Sequence, residues 1–289
     1  LRFNTQELQQ WGMNINRWRP GFNEDIYWVM IPRSQSGFFS HFGTLEGMDN
    51  IVASRRAEFI PYVAGTASMT GTQTAGDPFD DGSEWEGRLG ADFQVGLGSN
   101  LTLDGTINPD FGQVEADPAE VNLTAFETFF PERRPFFVEG SGVFRFDMDC
   151  NDGSCTGLFY TRRIGRQPQL SADVPDDGFV SAPSNTTIIG ATKATGRIGG
   201  FSIGILNALT AQEEAQVAVG SAQSSSPIEP FASYTVGRAR REFANQSALG
   251  VMMTATNRNV GDERSPMRLL SNSAYAGGVD WDVRLASKR

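Results

Sequence analysis

The sequence predicts an all-β fold, an antiparallel transmembrane β-barrel with an inserted plug or cap that contains a helix. Apolar and polar residues alternate along stretches of about ten residues, the length that a tilted strand needs to cross a membrane. Short and long connections follow one another, as in barrels with short turns at one rim. No apolar run reaches the roughly 20 residues of a spanning helix. A soluble β-sandwich also alternates apolar and polar residues, so that alternative stays open.

The composition narrows the class of protein. The chain has 289 residues, of which 39% are hydrophobic, and this excludes a disordered protein. Its net charge of −10 argues against a nucleic-acid partner. Lys193 and Lys288 are the only lysines in the sequence, so nearly all basic charge is arginine. Arginine suits bidentate contacts with carboxylates in partly buried places.

Residues 1–50 differ from the rest of the chain. They contain three of the five tryptophans on short apolar runs. We expect them to be the end of a preceding periplasmic β domain with its linker. The barrel region is expected over 51–289, as part of a larger barrel, with an insertion at about 110–185.

The clearest alternation is "RLGADFQVGL" at 88–97, which places Leu, Ala, Phe and Val on one face and Arg, Asp and Gln on the other. A two-residue turn then leads into a second alternating stretch, which predicts an amphipathic hairpin. Similar stretches follow downstream. Strands are predicted near 56–69, 85–98, 101–109, 186–196, 201–211, 230–239, 247–257 and 273–286, with long connections that include 70–84, 110–185, 212–229 and 258–272.

The insertion begins with a predicted short helix. Asp117 is in the N-cap position, Pro118 follows it and Glu120 is three residues after the cap, as in a capping box. Pro131 ends the helix, and an extended segment is expected over 133–147. The stretch "FETFFPERRPFF" at 126–137 then combines five phenylalanines with four charges.

Buried arginines beside phenylalanines need carboxylate partners. We therefore predict a charge network in which the insertion folds into the lumen as a plug or across the rim as a cap. Its members are Asp110, Glu115, Asp117, Glu127, Glu132, Arg133, Arg134, Glu139, Arg162, Arg163 and Arg166.

The stretch "DMDCNDGSC" suggests two further features. Cys150 and Cys155 flank a Gly/Asp/Asn turn that permits a small disulfide loop, and an oxidising compartment favours it over two reduced thiols. Hard oxygen ligands that Ca²⁺ prefers surround the same turn, although an ordinary polar turn explains them too. They are Asp147, Asp149, Asn151 and Asp152. No other cofactor is predicted.

The stretch "NPDFGQVEADPAEVNLTAFETFFPERRPFFVEG" and "FYTRRIGR" at 159–166 resemble an uncharacterised bacterial outer-membrane β-barrel family. Its barrel domain usually lies behind a periplasmic module similar to family 9 carbohydrate-binding modules. "WGMNINR" and "GTLEGM" resemble the junction between the two. The resemblance implies a location in the bacterial outer membrane, contact with its lipid, and polysaccharide or other envelope proteins as further partners; it implies no activity.

Three functions follow from these expectations. The first is an outer-membrane barrel that serves as a pore, a surface-binding platform or a component of an envelope assembly, with a function related to glycans. The second is an envelope hydrolase acting on glycans through carboxylates in 104–139, which needs only two suitably spaced carboxyl groups. The third is a soluble β-rich binding module. His41 is the only histidine and no G-x-S-x-G motif occurs, so a non-enzymatic role is favoured.

Overall fold

The computed structural model describes most of the chain, and its residues form two compact units, Leu1–Arg55 and Arg56–Arg289. Each unit has its own sheets. The described residues are 8–30, 41–49, 57–69, 74–98, 100–109, 129–151, 154–243, 245, 247–262 and 265–283.

Among its described residues, the first unit has four short strands in two antiparallel pairs. They are β1 (Leu8–Met13), β2 (Asn16–Arg19), β3 (Glu24–Tyr27) and β4 (Gly43–Asp49). β1 pairs with β4, and β2 pairs with β3 across a 3-10 turn that begins with a proline. The residues around Trp11, Trp18 and Trp28 therefore form β structure, as the sequence indicates.

The second unit is also built of strands, and a few of its connections contain single helical turns. Eight of its strands form one sheet, whose order β5-β6-β7-β11-β12-β15-β16-β17 follows the chain, and every neighbouring pair is antiparallel. The strands of this unit are β5 (Ala57–Met69), β6 (Ser83–Leu97), β7 (Leu101–Ile107), β8 (Asp147–Asn151), β9 (Ser154–Gly157), β10 (Gly178–Ser181), β11 (Ile188–Ile198), β12 (Phe201–Thr210), β13 (Glu213–Val219), β14 (Ala222–Glu229), β15 (Phe231–Glu242), β16 (Ala248–Asn259) and β17 (Ser273–Asp282).

The prediction of an all-β, antiparallel fold is confirmed. The eight strands of the large sheet correspond to the eight predicted ones, and short and long connections alternate between them. In the described part of the chain, however, β5 and β17 are the two edges of the sheet and no ladder joins them. The described residues thus form an open sheet, and a closed barrel is not confirmed.

Two expectations about the connections are wrong. The stretch 212–229 is not a loop, because β13 and β14 form a hairpin there. Together with β10 the two strands make a three-stranded sheet. Alternate residues Ala215 and Val217 of β13 are buried, which is the reason that this stretch is a strand. The expected extended segment over 133–147 instead contains two helical turns, α1 (Pro135–Val138) and a 3-10 turn at Ser141–Phe144.

Residues 117–128 of the predicted helix lie outside the described residues. Its last two residues, Phe129 and Phe130, are described and are not helical. A helix-containing plug is therefore not supported. Pro135 occupies the first position of α1, where its fixed φ and missing N–H are tolerated. In the ranges that the structure describes, no helix is long and apolar enough to cross a membrane.

The large sheet has two faces of opposite character. We call residues 129–166, apart from 152–153, the covering segment, the face on which it packs the covered face, and the other the open face. On the covered face, Phe137, Phe144 and Ile164 of the covering segment join sheet residues in one apolar cluster. The sheet contributes Ile188, Ala191, Leu206, Ala208, Ala232, Tyr234, Val236 and Met252 to this cluster.

Candidate functional site

The covering segment is held together by Arg134, which lies in the middle of the phenylalanine-rich stretch. Its Nε and Nη2 donate to the two carboxylate oxygens of Glu132 at 2.8 and 2.7 Å. Nη1 and Nη2 also donate to the backbone carbonyls of Ile164 and Thr161 at 2.7 and 2.8 Å. The guanidinium lies 4.2 Å from the ring centroid of Phe137. One buried arginine thereby joins residues 132–137 to residues 161–164.

The Glu132 carboxylate completes this group. It accepts a hydrogen bond from the Thr161 hydroxyl at 2.5 Å as well as those from Arg134. Burial by itself raises the pKa of Glu132, but the hydrogen bonds and charge of Arg134 and the bond from Thr161 outweigh it, so the pKa lies below its ordinary value. Glu132 is therefore ionised at neutral pH, and the pair it forms with Arg134 is bidentate and charge-assisted.

Lys193 attaches the covering segment to the sheet. Its side chain is 1% exposed, and Nζ donates to the backbone carbonyls of Phe136 and Glu139, each at 2.5 Å. Nζ also lies 3.8 Å from Asp104 Oδ2 on the neighbouring strand and 4.7 Å from the ring centroid of Phe136. Gln94 donates from one amide nitrogen to both Asp104 and Glu139, at 2.7 and 2.8 Å. A buried cation is thus satisfied by the end of α1.

A third contact involves Phe146, near the middle of the covering segment. Arg238 on β15 forms a bidentate pair with Asp280 on β17, spanning the intervening strand. The guanidinium lies 5.0 Å from the ring centroid of Phe146. A Cβ atom at Gly278 would lie 2.6 Å from that ring, so Phe146 needs the glycine beneath it. Arg240 adds a weaker contact with Asp280 at 3.9 Å.

Two cavities adjoin the covering segment. The larger, about 330 Å³, lies between residues 157–166 and strands β15 and β16. Its lining contains several arginines and aromatic side chains, among them Arg163, Arg166, Arg258, Tyr160, Tyr234 and Phe159. Its lining includes no carboxylate. Arginine is thus the only charged residue type in its lining, although the buried carboxylate of Glu229 lies close enough to act on Tyr234.

The smaller cavity, about 280 Å³, is acidic and bears on the hydrolase alternative. Asp104 and Glu139 both line it. Because both accept from the same Gln94 nitrogen, at 2.7 and 2.8 Å, their bonded oxygens are at most about 5.5 Å apart. That separation is within the range of paired catalytic carboxylates. However, Asp104 is paired with Lys193, so the contacts give these carboxylates a structural role in attaching the segment.

The structure brings together only part of the predicted charge network. Glu132 and Arg134, two members of that network, form an ion pair. Glu139 instead contacts Gln94, and Arg162 donates to the Pro131 carbonyl at 3.2 Å and stacks on Phe130. Arg133 is exposed, while Arg163 and Arg166 line the larger cavity. Asp110, Glu115, Asp117 and Glu127 lie outside the described residues.

The turn with the two cysteines is described only in part. The β8–β9 hairpin places Cys150 and Cys155 opposite each other in register, an arrangement that brings two Cα atoms close, as a disulfide requires. Asp152 lies outside the described residues, and the backbone of Asp147, Asp149 and Asn151 belongs to β8. The disulfide and the calcium site stay predictions.

Sequence reasoning missed the residues that attach the segment to the sheet. Lys193 lies on β11 between the small residues Ala191 and Thr195, on the row that carries polar side chains in the other strands. A single lysine at a covered-face position is the signal that could have found it. Arg238 and Asp280 also lie on polar rows, but nothing in the sequence pairs them across β16.

Comparison with known proteins gives a family. Residues 53–266 match the family described as Domain of unknown function (DUF5916). The match covers most of the chain and confirms that the resemblance is to an uncharacterised family. The association with a carbohydrate-binding module and with the outer membrane stays a prediction. No curated protein and no solved structure matches the chain.

Proposed function

The chain belongs to the DUF5916 family, which is defined without a function, and we propose from the geometry of its large sheet that it is a β-barrel protein of the bacterial outer membrane. In this proposal lipid covers the open face, and the covering segment occupies the interior and restricts a pore. The single observation that carries the proposal is the separation of apolar and charged side chains between the two faces.

The open face is apolar across all eight strands. In the large sheet, Arg241 is the only charged side chain on that face, and it lies at the end of β15. Many large apolar side chains of this face are well exposed, including Trp85 at 75% and Trp281 at 71%. Others are Phe59, Val63, Met69, Leu89, Ile107, Ile198, Ile205, Leu249, Val251, Met253, Tyr275 and Val279.

An exposed apolar surface of this extent needs a cover. The strands of the large sheet do carry charged side chains, and all of them except Arg241 lie on the covered face. They are Glu58, Glu84, Glu86, Arg88, Asp92, Asp104, Lys193, Arg197, Arg238, Arg240, Glu242, Arg258, Asp280 and Asp282. Apolar-out and polar-in alternation along each strand is the arrangement of membrane barrels.

Strand length supports lipid as the cover. The strands β12 and β17 have 10 residues each. At about 3.3 Å per residue and a tilt of about 40°, such a strand spans about 25 Å, the height of the apolar band of an outer-membrane barrel. Closing the sheet requires its edge strands β5 and β17 to pair with each other or with further strands, which removes both edges.

The interior role follows from the covering segment. Arg134, Lys193 and Arg238 each tie it to itself or to the sheet through buried contacts. A segment held in this way across the charged face of a barrel would limit what passes through it. This is the reason to prefer a restricted pore over an open channel, and over an enzyme that uses Asp104 and Glu139.

The test compares two adjacent positions on β17 that lie at the same depth on opposite faces. In one variant Trp281 is the only tryptophan; in the other, W281F and D282W place the only tryptophan on the covered face. Both proteins are reconstituted into vesicles with brominated lipids, and fluorescence quenching is measured. We expect strong quenching of Trp281 and weak quenching of the tryptophan at 282, because bromine atoms lie in the hydrocarbon. Fractionation of cells should place the native chain with the outer membrane.

Equal quenching at both positions would contradict the proposal. So would a native chain that remains monomeric in buffer without detergent, since its open face would then be stable in water. In that case the soluble binding module is the better description.

A further inference from the structure

Two arginines that line the larger cavity on the covered face each have one buried donor that the protein itself does not satisfy. Arg166 and Arg258 both line the cavity, and the Nε atom of each is buried without a hydrogen-bond partner. A buried donor without a partner loses its hydration and gains nothing in return. The Nε atoms of Arg238 and Arg240 lack a partner too, but both of those arginines form ion pairs. Arg166 and Arg258 differ because both line one cavity and neither forms an ion pair with a described residue, so their charge calls for an explanation.

The surrounding contacts supply no acceptor to these two Nε atoms, although the Arg258 guanidinium also interacts with the Tyr234 hydroxyl. Arg258 Nη1 donates to the Ser271 carbonyl at 3.1 Å, which positions the side chain without occupying Nε. Glu229, a buried carboxylate that acts on Tyr234, accepts from the backbone and the side-chain amide of Gln169 at 2.8 and 2.9 Å. Among the ion pairs between described residues, none includes Arg166 or Arg258.

The lining defines the chemistry of the ligand. Strand β16 contributes Thr254, Thr256 and Arg258 at alternate positions, so two hydroxyls and a guanidinium face the cavity side of the sheet. Tyr234 and Phe159 contribute aromatic surface. Arginine recognises carboxylate and phosphate groups through its planar fork. The cavity volume of about 330 Å³ exceeds what an inorganic ion fills and suits a small organic molecule.

We propose that this cavity binds an organic oxyanion, a carboxylate or phosphate group carried on a body about the size of one sugar ring. Arg166 and Arg258 bind the oxyanion, and the tyrosine, phenylalanine and threonine side chains contact the body. The proposal does not depend on lipid at the open face, so its failure and the failure of the proposed function are separate results.

The experiment uses the full chain in detergent micelles and measures binding by isothermal titration calorimetry. The probes are glucuronate, glucose as the neutral sugar of the same size, and inorganic phosphate. We expect saturable binding of glucuronate and none of glucose, because only glucuronate carries the carboxylate. Tighter binding of glucuronate than of inorganic phosphate supports an organic oxyanion. Binding of inorganic phosphate without binding of glucuronate would contradict it, because the organic body would then contribute nothing.

The variants R166Q and R258Q should each weaken binding at least about tenfold, since each removes a charged donor to the anion. R241Q, at an exposed arginine on the open face, is the control and should bind like the native chain. Without ligand, R166Q should unfold at the same denaturant concentration as the native chain or a higher one, because it removes a donor that has no partner.

Two further results would overturn the proposal. One is the absence of saturable binding of glucuronate and phosphate up to about 10 mM, a range that covers weak binding. The other is binding that both variants leave unchanged. A loss of stability in ligand-free R166Q would also count against it, because it would show that the arginine has a structural partner.

Discussion

At the scale of single residues, Lys193 decides how the covering segment is attached. An ammonium group with 1% exposure needs anionic or carbonyl partners on every side, since its desolvation is costly. It receives two backbone carbonyls from one turn of helix, α1, and the charge of Asp104 from the neighbouring strand. The carbonyls at this helix end are the ones that intrahelical bonds leave without a partner. Lys193 therefore supplies the donor that the end of α1 lacks, and the carbonyls of α1 supply the acceptors that the buried ammonium group needs.

We expect K193M to lower the free energy of unfolding by about 3–5 kcal/mol, because it leaves the buried Asp104 without its counter-charge and the α1 carbonyls without a donor. Equilibrium denaturation of the refolded protein measures this. T192V, one residue away on the open face, is the matched control and should stay within about 0.5 kcal/mol. A loss for K193M as small as that of the control would show that the cluster does not attach the segment.

At the scale of elements, the covering segment approaches the sheet so closely that side chains of the sheet have to be absent beneath it. A Cβ atom at Gly204 on β12 would lie 2.8 Å from Val143 Cγ1 and 2.9 Å from two ring carbons of Phe144. On the next strand, Gly237 lies on the open face, and nothing is within 4 Å of its Cβ position. Close packing therefore requires a glycine at position 204 on the covered face, whereas no contact requires one at position 237 on the open face.

The substitution G204V should displace the 3-10 turn at Ser141–Phe144 and cost about 1–3 kcal/mol through overpacking. Proteolysis of the folded protein should cut the covering segment faster. For G237V we expect unchanged or slightly higher stability, by up to about 1 kcal/mol, because a strand loses less entropy without a glycine. If both variants behave alike, the close approach at Gly204 is not what positions the segment.

At the scale of the whole large sheet, the distribution of charge between two faces matters more than any single contact. A sheet in water can leave one face polar, and here the uncovered face is the apolar one. Met253 lies near the middle of β16 on that face and is 68% exposed. Asn257 lies four residues further along the same face, near the end of the strand. The two positions differ in depth but not in face.

If lipid covers the open face, M253R should cost about 2–4 kcal/mol and N257R only about 0–1 kcal/mol, because the cost of a charge rises toward the middle of the bilayer. Urea unfolding from lipid vesicles measures both values. Were this face in water, both substitutions would change stability by no more than about 0.5 kcal/mol. The difference between the two positions, rather than either value alone, decides the question.

The strands could be predicted from the sequence because their signal is local. In β6, Glu84, Glu86, Arg88 and Asp92 alternate with apolar or small residues, and a period of two determines which side chains share a face. The hairpin β13–β14 carried the same signal in Ala215 and Val217, and interpreting 212–229 as a loop overlooked it. The pairing of Glu132 with Arg134 was also predictable, since the two residues are neighbours in the chain.

What the sequence by itself determined is the alternation of each strand, the order in which consecutive strands pair, and the presence of a charge-rich segment between β7 and β11. Only the tertiary structure decided that Lys193 holds the end of α1, that Arg238 reaches Asp280 across β16, and that Arg166 and Arg258 meet at one cavity. These contacts join residues that are far apart in the chain. Neither secondary-structure propensity nor periodicity predicts which distant residues come close together in space. Periodicity assigns a side chain to a face, whereas its partner depends on how the whole sheet and the covering segment pack together.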